Sequence, residues 1–296
     1  MKSPVSWITG SLMFLVIILL AFHLSATNLE YSRYNPSWNG TSAFFSYLDE
    51  TGGYTEIRDI RDIVPYNNSV LLIIAPNGGF SSDEIQNYRR YIEQGNTLVI
   101  ADDKGKSNSL LEGIGSTIRV IPGNLTSIER VYDDSTSVLA FPATDDPHFS
   151  DNGQILLNKP AYTAGGVPLF TTSLLSWIDR NGNGRPDPHE ELGRYPVLTT
   201  ERKGKGTLYV LSDPAVFING MWQGGSGPGN ADLITDFTGS GRPVLVDQVH
   251  GETGSADGFI HLINFIKDSI LLRLAGVLLV AGCAGCIFII KRKMVD

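Results

Sequence analysis

Ser69-Val70-Leu71-Leu72-Ile73-Ile74-Ala75 is an unbroken apolar run rich in branched aliphatic side chains. Runs of that kind are strands covered on both faces, as in a parallel sheet. Residues 97–101, Thr-Leu-Val-Ile-Ala, are a second such run. Between the two, Ser81 or Ser82 opens a predicted helix that reaches about Gln94, with Glu84 and Ile85 early and Gly95 as its stop. The result is a strand–helix–strand unit. Outward from it, residues 41–51 form a predicted amphipathic helix with Ala43, Phe44, Tyr47 and Leu48 on one face, ended by Gly52-Gly53. Short strands are expected at 54–57 and 117–121, and a short helix at 107–113. Residues 122–170 break the rhythm with short β segments such as 137–141 and 155–157. Strands resume at 195–200 and 207–211, joined by a turn at 203–206. A helix at 231–237, a strand at 243–246 and a helix at 259–268 follow. Alternation of this kind predicts an α/β fold with a mostly parallel layered sheet.

Two apolar runs bracket that body. Residues 7–24 carry no charge and span about 27 Å as a helix. Residues 270–290 carry only Arg273 and span about 31 Å. Lys291-Arg292-Lys293 follows, and under the positive-inside rule that cluster stays in the cytoplasm, as Lys2 does at the other end. The expectation is three parts: an N-terminal transmembrane helix in 1–27, an extracytoplasmic domain over 28–268, and a C-terminal transmembrane helix with a basic tail in 269–296. The protein would be a two-pass component of the cell membrane. A cleaved signal peptide is the rival reading of the first run, against which stand its length and the poor cleavage site Leu24-Ser25-Ala26. Residues 25–38 read as a polar linker.

The body carries 18 basic and 30 acidic residues, a net charge of −12. That excludes nucleic acid as an expected partner and disfavours docking on anionic lipid. Asn39, Asn67 and Asn124 stand in glycosylation sequons. Cys283 and Cys286 both lie in the second apolar run among Ala281, Gly282, Ala284 and Gly285. Small residues let helices approach closely, so this run is expected to pack on a membrane-protein partner, as in an accessory subunit of a transporter. The body has no cysteine and no Gly-x-Ser-x-Gly elbow. The glycine-rich 224–229 lacks the lysine of a phosphate loop.

Residues 179–190 read Asp-Arg-Asn-Gly-Asn-Gly-Arg-Pro-Asp-Pro-His-Glu. Calcium takes six to eight oxygens, and EF-type loops supply them from alternate positions with a glycine at the sixth and a glutamate at the twelfth. The candidate metal ligands are Asp179, Asn181, Asn183, Arg185 through its carbonyl, Asp187 and Glu190. A short helix through Leu174, Leu175, Trp177 and Ile178 is expected to lead in, while Gly193 and Pro196 prevent an exit helix. The competing reading is an Asn-Gly surface turn that binds nothing.

Three predicted strands end on aspartate, at Asp102, Asp213 and Asp247. Ligands of open α/β sheets bind beyond the strand C-termini, so these could share a cleft with His250 and Glu252 nearby. Asp213, Asp247 and His250 are the candidate catalytic residues of an extracytoplasmic hydrolase. The plainer reading is that aspartates start turns and cap helices after strands.

The order of several segments resembles an uncharacterised membrane-anchored prokaryotic family, domain-of-unknown-function 4350. The matching pieces are Asn39-Gly40-Thr41-Ser42-Ala43, Gly52-Gly53-Tyr54, 71–76, Gly95-Asn96-Thr97-Leu98-Val99-Ile100, Lys205-Gly206, Ser212-Asp213-Pro214, Phe217-Ile218-Asn219 and Val246-Asp247-Gln248-Val249-His250-Gly251. The resemblance implies a domain similar to class I glutamine amidotransferases, with a flavodoxin-like fold, held by membrane helices at its ends. Gln248 stands where the family's Asp-Glu-x-His motif has its glutamate, and Asp102-Asp103-Lys104 stands where an amidotransferase would place its cysteine. The function expected is therefore a non-catalytic binding or scaffold domain, stabilised by one calcium ion.

Overall fold

The computed structural model describes residues 26–130, 134–144, 153–222, 229–239 and 241–268. The apolar runs 7–24 and 270–290, with Cys283 and Cys286, and residues 224–228 of the glycine-rich loop lie outside the described residues. Among the described residues no helix is long and apolar enough to cross a membrane.

Residues Asn28–Gly254 form one compact unit. Its strands are β1 (Thr55–Ile57), β2 (Val70–Ile74), β3 (Thr97–Ala101), β4 (Arg119–Ile121), β5 (Leu125–Ser127), β6 (Ser137–Pro142), β7 (Ile155–Asn158), β8 (Tyr162–Ala164), β9 (Val167–Thr172), β10 (Ser176–Ile178), β11 (Pro196–Lys203), β12 (Gly206–Leu211) and β13 (Val244–Asp247). Its helices are α1 (Ser42–Glu50), α2 (Ser82–Glu93), α3 (Asn108–Gly113), α4 (Asn219–Trp222) and α5 (Asn230–Thr238). A further helix, α6 (Gly254–Asp268), runs into a second unit and exposes Phe259, Leu262 and Phe265 along one stripe.

Nine strands make one sheet in the order β1-β13-β2-β3-β12-β11-β9-β6-β7. From β1 to β12 every neighbouring pair is parallel. From β12 to β7 every pair is antiparallel. The sheet is therefore mixed, not the mostly parallel one expected from the sequence and from the amidotransferase resemblance. The reason is the connections. Parallel neighbours need a crossover of a dozen or more residues, which α2 supplies between β2 and β3. β11 and β12 are joined only by Gly204 and Lys205, too short for anything but an antiparallel return.

The two apolar runs that define the parallel half still alternate between layers. Val70, Leu72, Val99 and Ala101 face one core, against Phe44 and Leu48 of α1 and Leu233, Ile234 and Phe237 of α5. Leu71, Ile73, Leu98 and Ile100 face the other, against Tyr88, Tyr91 and Ile92 of α2 and Leu110 and Leu111 of α3. Helices on both faces explain why neither face of these strands can be polar. α2 begins as its sequence predicts, with a complete capping box between Ser81 and Glu84.

Other expectations change in detail. No helix precedes residue 179: Ser176–Ile178 is strand β10, paired with β5. Trp177 and Ile178 alternate across a ladder there, and Leu174 and Leu175 lie on the surface. The segment read as a linker is packed from residue 28 onward. Ser32 and Asn35 are fully buried, and Arg33 pairs with Glu56 and donates to the Tyr54 hydroxyl at 2.9 Å. At the far edge of the sheet, Asn230 closes the outward side of β7. Its Oδ1 accepts from Leu156 N at 2.9 Å and its Nδ2 donates to Leu156 O at 3.0 Å, so the edge offers no free rung there.

Leu72 is fully buried at the centre of the parallel half. Leu72→Ala is expected to cost about 2–5 kcal/mol in urea unfolding with an unchanged slope, the price of a cavity in a packed core. A loss below about 1 kcal/mol, the range of surface substitutions, would contradict this placement.

Candidate functional site

The three strand-end aspartates all accept hydrogen bonds from backbone. Asp102 Oδ1 accepts from Lys104 N at 2.8 Å. Its Oδ2 accepts from Ser107 N at 2.7 Å and Ser107 Oγ at 2.6 Å, fixing the turn that starts α3. Asp213 Oδ1 accepts from Ala215 N at 2.8 Å and caps the 3-10 turn Pro214–Phe217. Its Oδ2 accepts from Asn158 N at 2.6 Å, across on β7. Burial pushes the Asp213 carboxyl up to about 7; the two backbone bonds oppose this, and the charges of Asp103 and Glu30 add to it.

Asp247 differs in gathering side chains as well. Its Oδ1 accepts from Val249 N at 2.7 Å and His250 N at 3.1 Å, and its Oδ2 takes the Tyr88 hydroxyl and faces His250 Nδ1 at 3.1 Å. Tyr88 Oη is also 2.9 Å from His250 Nδ1. On its other side His250 Nε2 lies 3.6 Å from Glu84 Oε2, while Phe80 stacks on the imidazole at 4.1 Å between centroids. Burial opposes charge on His250, but the hydrogen bond and charge of Asp247 and the charge of Glu84 outweigh it and raise the imidazole above its ordinary value. Burial and the adjoining Asp247 hold the Tyr88 phenol well above the ordinary tyrosine range.

The structure thus brings Asp247 and His250 together and gives Asp102 and Asp213 partners of their own. With β2 and β3 between β13 and β12, Asp213 stands three strand spacings from Asp247, about 14 Å along the sheet. Glu252 lies two residues beyond His250 and pairs with Lys104 at 3.0 Å. Tyr88, Glu84 and Phe80 had no signal connecting them to His250, since the pairing depends on α2 lying over the strand ends.

Tyr31 lines the crevice beyond those strands. It adopts a left-handed φ of 59° and, with Ile74, Val246, Gln248, Gly251 and Glu252, borders a hollow of only about 20 Å³. Tyr31 N donates to Asn39 O at 2.9 Å, and Thr41 Oγ1 donates to Tyr31 O at 2.9 Å. Larger hollows lie elsewhere. One of about 820 Å³ is lined by Tyr47, Gly53, Tyr54, Thr235, Gly239 and Arg242 where α1 and α5 end.

The loop at 179–190 folds around its own oxygen-bearing side chains. Asp179 accepts from Gly182 N at 2.7 Å, Asn183 N at 3.2 Å and Gly184 N at 2.8 Å. Asn181 Oδ1 accepts from Asn183 N at 3.0 Å, and Asn183 Oδ1 from Arg185 N at 2.8 Å. Asp187 Oδ2 receives the amides of Asn181 and Asn183 at 2.5 and 3.0 Å, and Glu190 accepts from Arg180 N at 2.7 Å and Asp187 N at 3.2 Å. Gly184 has φ 68°, which allows the bend at the sixth position. Among the described residues no three His, Cys, Asp or Glu side chains are gathered closely enough to hold a metal by themselves. Any ion here would need the amide and carbonyl oxygens of Asn181, Asn183 and Arg185. Of the sequons, Asn67 is exposed and Asn39 half-buried, while Asn124 donates its amide to Asp179 at 3.3 Å.

An α/β domain with a half-parallel, half-antiparallel sheet and polar, backbone-bonded strand ends defines the class. The chain belongs to the family described as Domain of unknown function (DUF4350), whose profile matches residues 33–238. No curated protein matches it. Among solved structures it is similar to the mmIFT52 N-terminal domain, at 16% identity and TM-score 0.51, covering 68% of this chain and 90% of that one. Weaker likenesses are to a beta-galactosidase from Bacillus circulans sp. alkalophilus (13% identity, TM-score 0.35, 57% of this chain and 22% of that one) and a cytoplasmic protein from Salmonella typhimurium LT2 (12%, 0.31, 59% and 76%). At such identities the first of these speaks to fold alone.

In the folded chain Asp213 keeps its proton from about pH 4, where an unfolded aspartate loses it, up to about 7. His250 likewise holds its proton above the unfolded value. The Asp213 contribution is full below about pH 4 and declines as pH rises to about 7, and that of His250 declines as pH rises past its unfolded value. Glu84 and Glu201, whose carboxyls are lowered although burial opposes it, lose their contribution below about pH 4. The melting midpoint is expected to fall by at least about 2–4 °C from pH 5 to pH 8. Asp213→Asn and His250→Gln should each flatten that slope. A midpoint that rises over the interval would contradict the assignment.

Proposed function

We propose that this chain is a membrane-anchored, extracytoplasmic binding or scaffold domain without catalytic activity, stabilised by one calcium ion at residues 179–190. The observation that carries the non-catalytic reading is the small size of the strand-end crevice, about 20 Å³ with Tyr31 in its lining, while Asp102 and Asp213 accept from backbone N–H groups. A site that acted on a ligand would need room and free donors or acceptors where ligands of such sheets bind. The two apolar runs and the basic Lys291-Arg292-Lys293 support anchoring with the body outside.

The calcium reading is supported by one tightly wound loop in which Asp179, Asn181, Asn183 and Asp187 are linked by hydrogen bonds and Glu190 accepts from the backbone of Arg180 and Asp187. Arg185 would add its carbonyl. Extracellular sites of this type bind at about 10⁻⁴ to 10⁻³ M. At 10 mM calcium the bound form then gains about 1.4–2.7 kcal/mol by mass action. Calorimetric titration and melting of the chain with calcium should show that gain, and Asp179→Ala or Glu190→Gln should abolish it. Unchanged melting and no heat up to 10 mM would reject the ion.

A second reading, a hydrolase built on Asp247 and His250, is favoured by their direct contact under Phe80. Asp213 lies too far along the sheet to share its proton, so Glu84 would have to take that place. Hydrolysis of ester or phosphoester reporters that His250→Ala removes would establish it over the first reading.

A further inference from the structure

Two hollows of the compact unit lie side by side along α1, and Tyr47 is in the wall of both. The larger, of about 820 Å³, is at the end of the sheet away from Asp247, where α1 and α5 run out and β1 and β13 begin. The smaller, of about 410 Å³, is bounded by Ser42, Ser46 and Glu50 of α1 and by Trp222 of α4. Trp222 stands 5.0 Å from Tyr47 between ring centroids, and Tyr54 adds a third ring in the wall of the larger hollow. From Ser42 to Thr51 the two follow α1 for about 13 Å. Gly52 and Gly53 carry the chain past the larger one at φ 138° and 80°. A Cβ on either would meet no atom within 4 Å, so the space reaches the backbone.

The walls of the larger hollow are built to accept hydrogen bonds. Thr51 Oγ1 donates to Tyr47 O at 2.8 Å, Thr235 Oγ1 to Ala231 O at 2.8 Å and Thr238 Oγ1 to Ile234 O at 2.7 Å. Each hydroxyl has spent its proton and keeps lone pairs. The last carbonyls of a helix have no partner within it, and two helices end here. These walls select by chemistry. Two helix C-termini and Glu50 disfavour an anion. Arg242, held by its bond to Thr97 Oγ1 at 2.9 Å, disfavours a cation. An acyl chain would leave threonine and carbonyl oxygens dry and unpaired. A neutral molecule with many hydroxyl donors, and with C–H faces for Tyr47, Tyr54 and Trp222, suits every wall. We infer that the groove along α1 binds a short neutral oligosaccharide. This rests on the binding reading given above, and on neither the calcium ion nor the membrane spans.

The test uses the full chain in a polyoxyethylene detergent, which carries no sugar. Cellotriose, maltotriose and tri-N-acetylchitotriose are the probes. Saturation-transfer NMR is expected to mark the ring C–H protons of at least one of them. Thr51→Trp sets a bulky ring at the exposed rim of the larger hollow and should weaken the transfer at least about fivefold. Thr235→Trp, exposed on the opposite wall, takes its place if Thr51→Trp lowers the melting midpoint. Val167→Trp, on β9 and 54% exposed, should leave the transfer unchanged. Absence of transfer at about 10 mM of each probe, enough to fill a millimolar site, overturns the inference. The scaffold reading survives that result if the same chain still gains stability with calcium. Transfer that persists in a rim variant melting like the parent puts the sugar elsewhere and overturns the inference too. Binding followed by cleavage of the trisaccharide would support the site and overturn the non-catalytic reading instead.

Discussion

A carboxylate taken out of water must be given donors or a proton. At the C-terminal end of this sheet that rule organises everything nearby. Asp102, Asp213 and Asp247 are almost fully buried, and each is supplied chiefly by backbone N–H groups of the turn that follows its strand. Asp213 does more, since its second oxygen reaches Asn158 and ties the antiparallel edge to the parallel centre. Asp247 pins the loop that carries His250, and through Tyr88 it pins that loop to α2. Tyr31 lines the small hollow that remains beside Asp247.

Much of the fold was legible because burial leaves a pattern in sequence. Strands β2 and β3 lie within the two apolar runs, and of the two serines that the sequence offers as the start of α2 it is Ser81 that caps it, in a box with Glu84. Strand direction in the second half was less visible. Leu198 and Leu211 are both buried, and burial says nothing of whether neighbours run together or opposed. Only the short Gly204-Lys205 connection carries that information. Residues 173–178 were misread because Leu174, Leu175, Trp177 and Ile178 have helical spacing. Yet Trp177 pairs with Thr126, and the two leucines point outward.

The chemistry of the loop at 179–190 is local: each oxygen-bearing residue meets a partner within twelve positions. The cluster around His250 was only half legible. Asp247 and His250 are three residues apart and were found, whereas Glu84 and Phe80 come from more than 160 residues earlier. Tyr31 was hidden most completely, in a stretch whose polar composition gave no sign that Ser32 and Asn35 are buried. Polar residues that are buried for hydrogen bonding look, in sequence, like polar residues that are solvated.

Hydrogen exchange at single amides bears most directly on the claim that the strand-end carboxylates are held by the backbone. The amides of Asn158, Ser107, Ala215 and Val249 donate to Asp213, Asp102, Asp213 and Asp247. If those bonds organise this end of the sheet, all four should exchange about a thousandfold or more slowly than in the unfolded chain, opening only with the domain. Exchange near the unprotected rate at these positions, in a chain whose β2 and β3 amides remain protected, would contradict it.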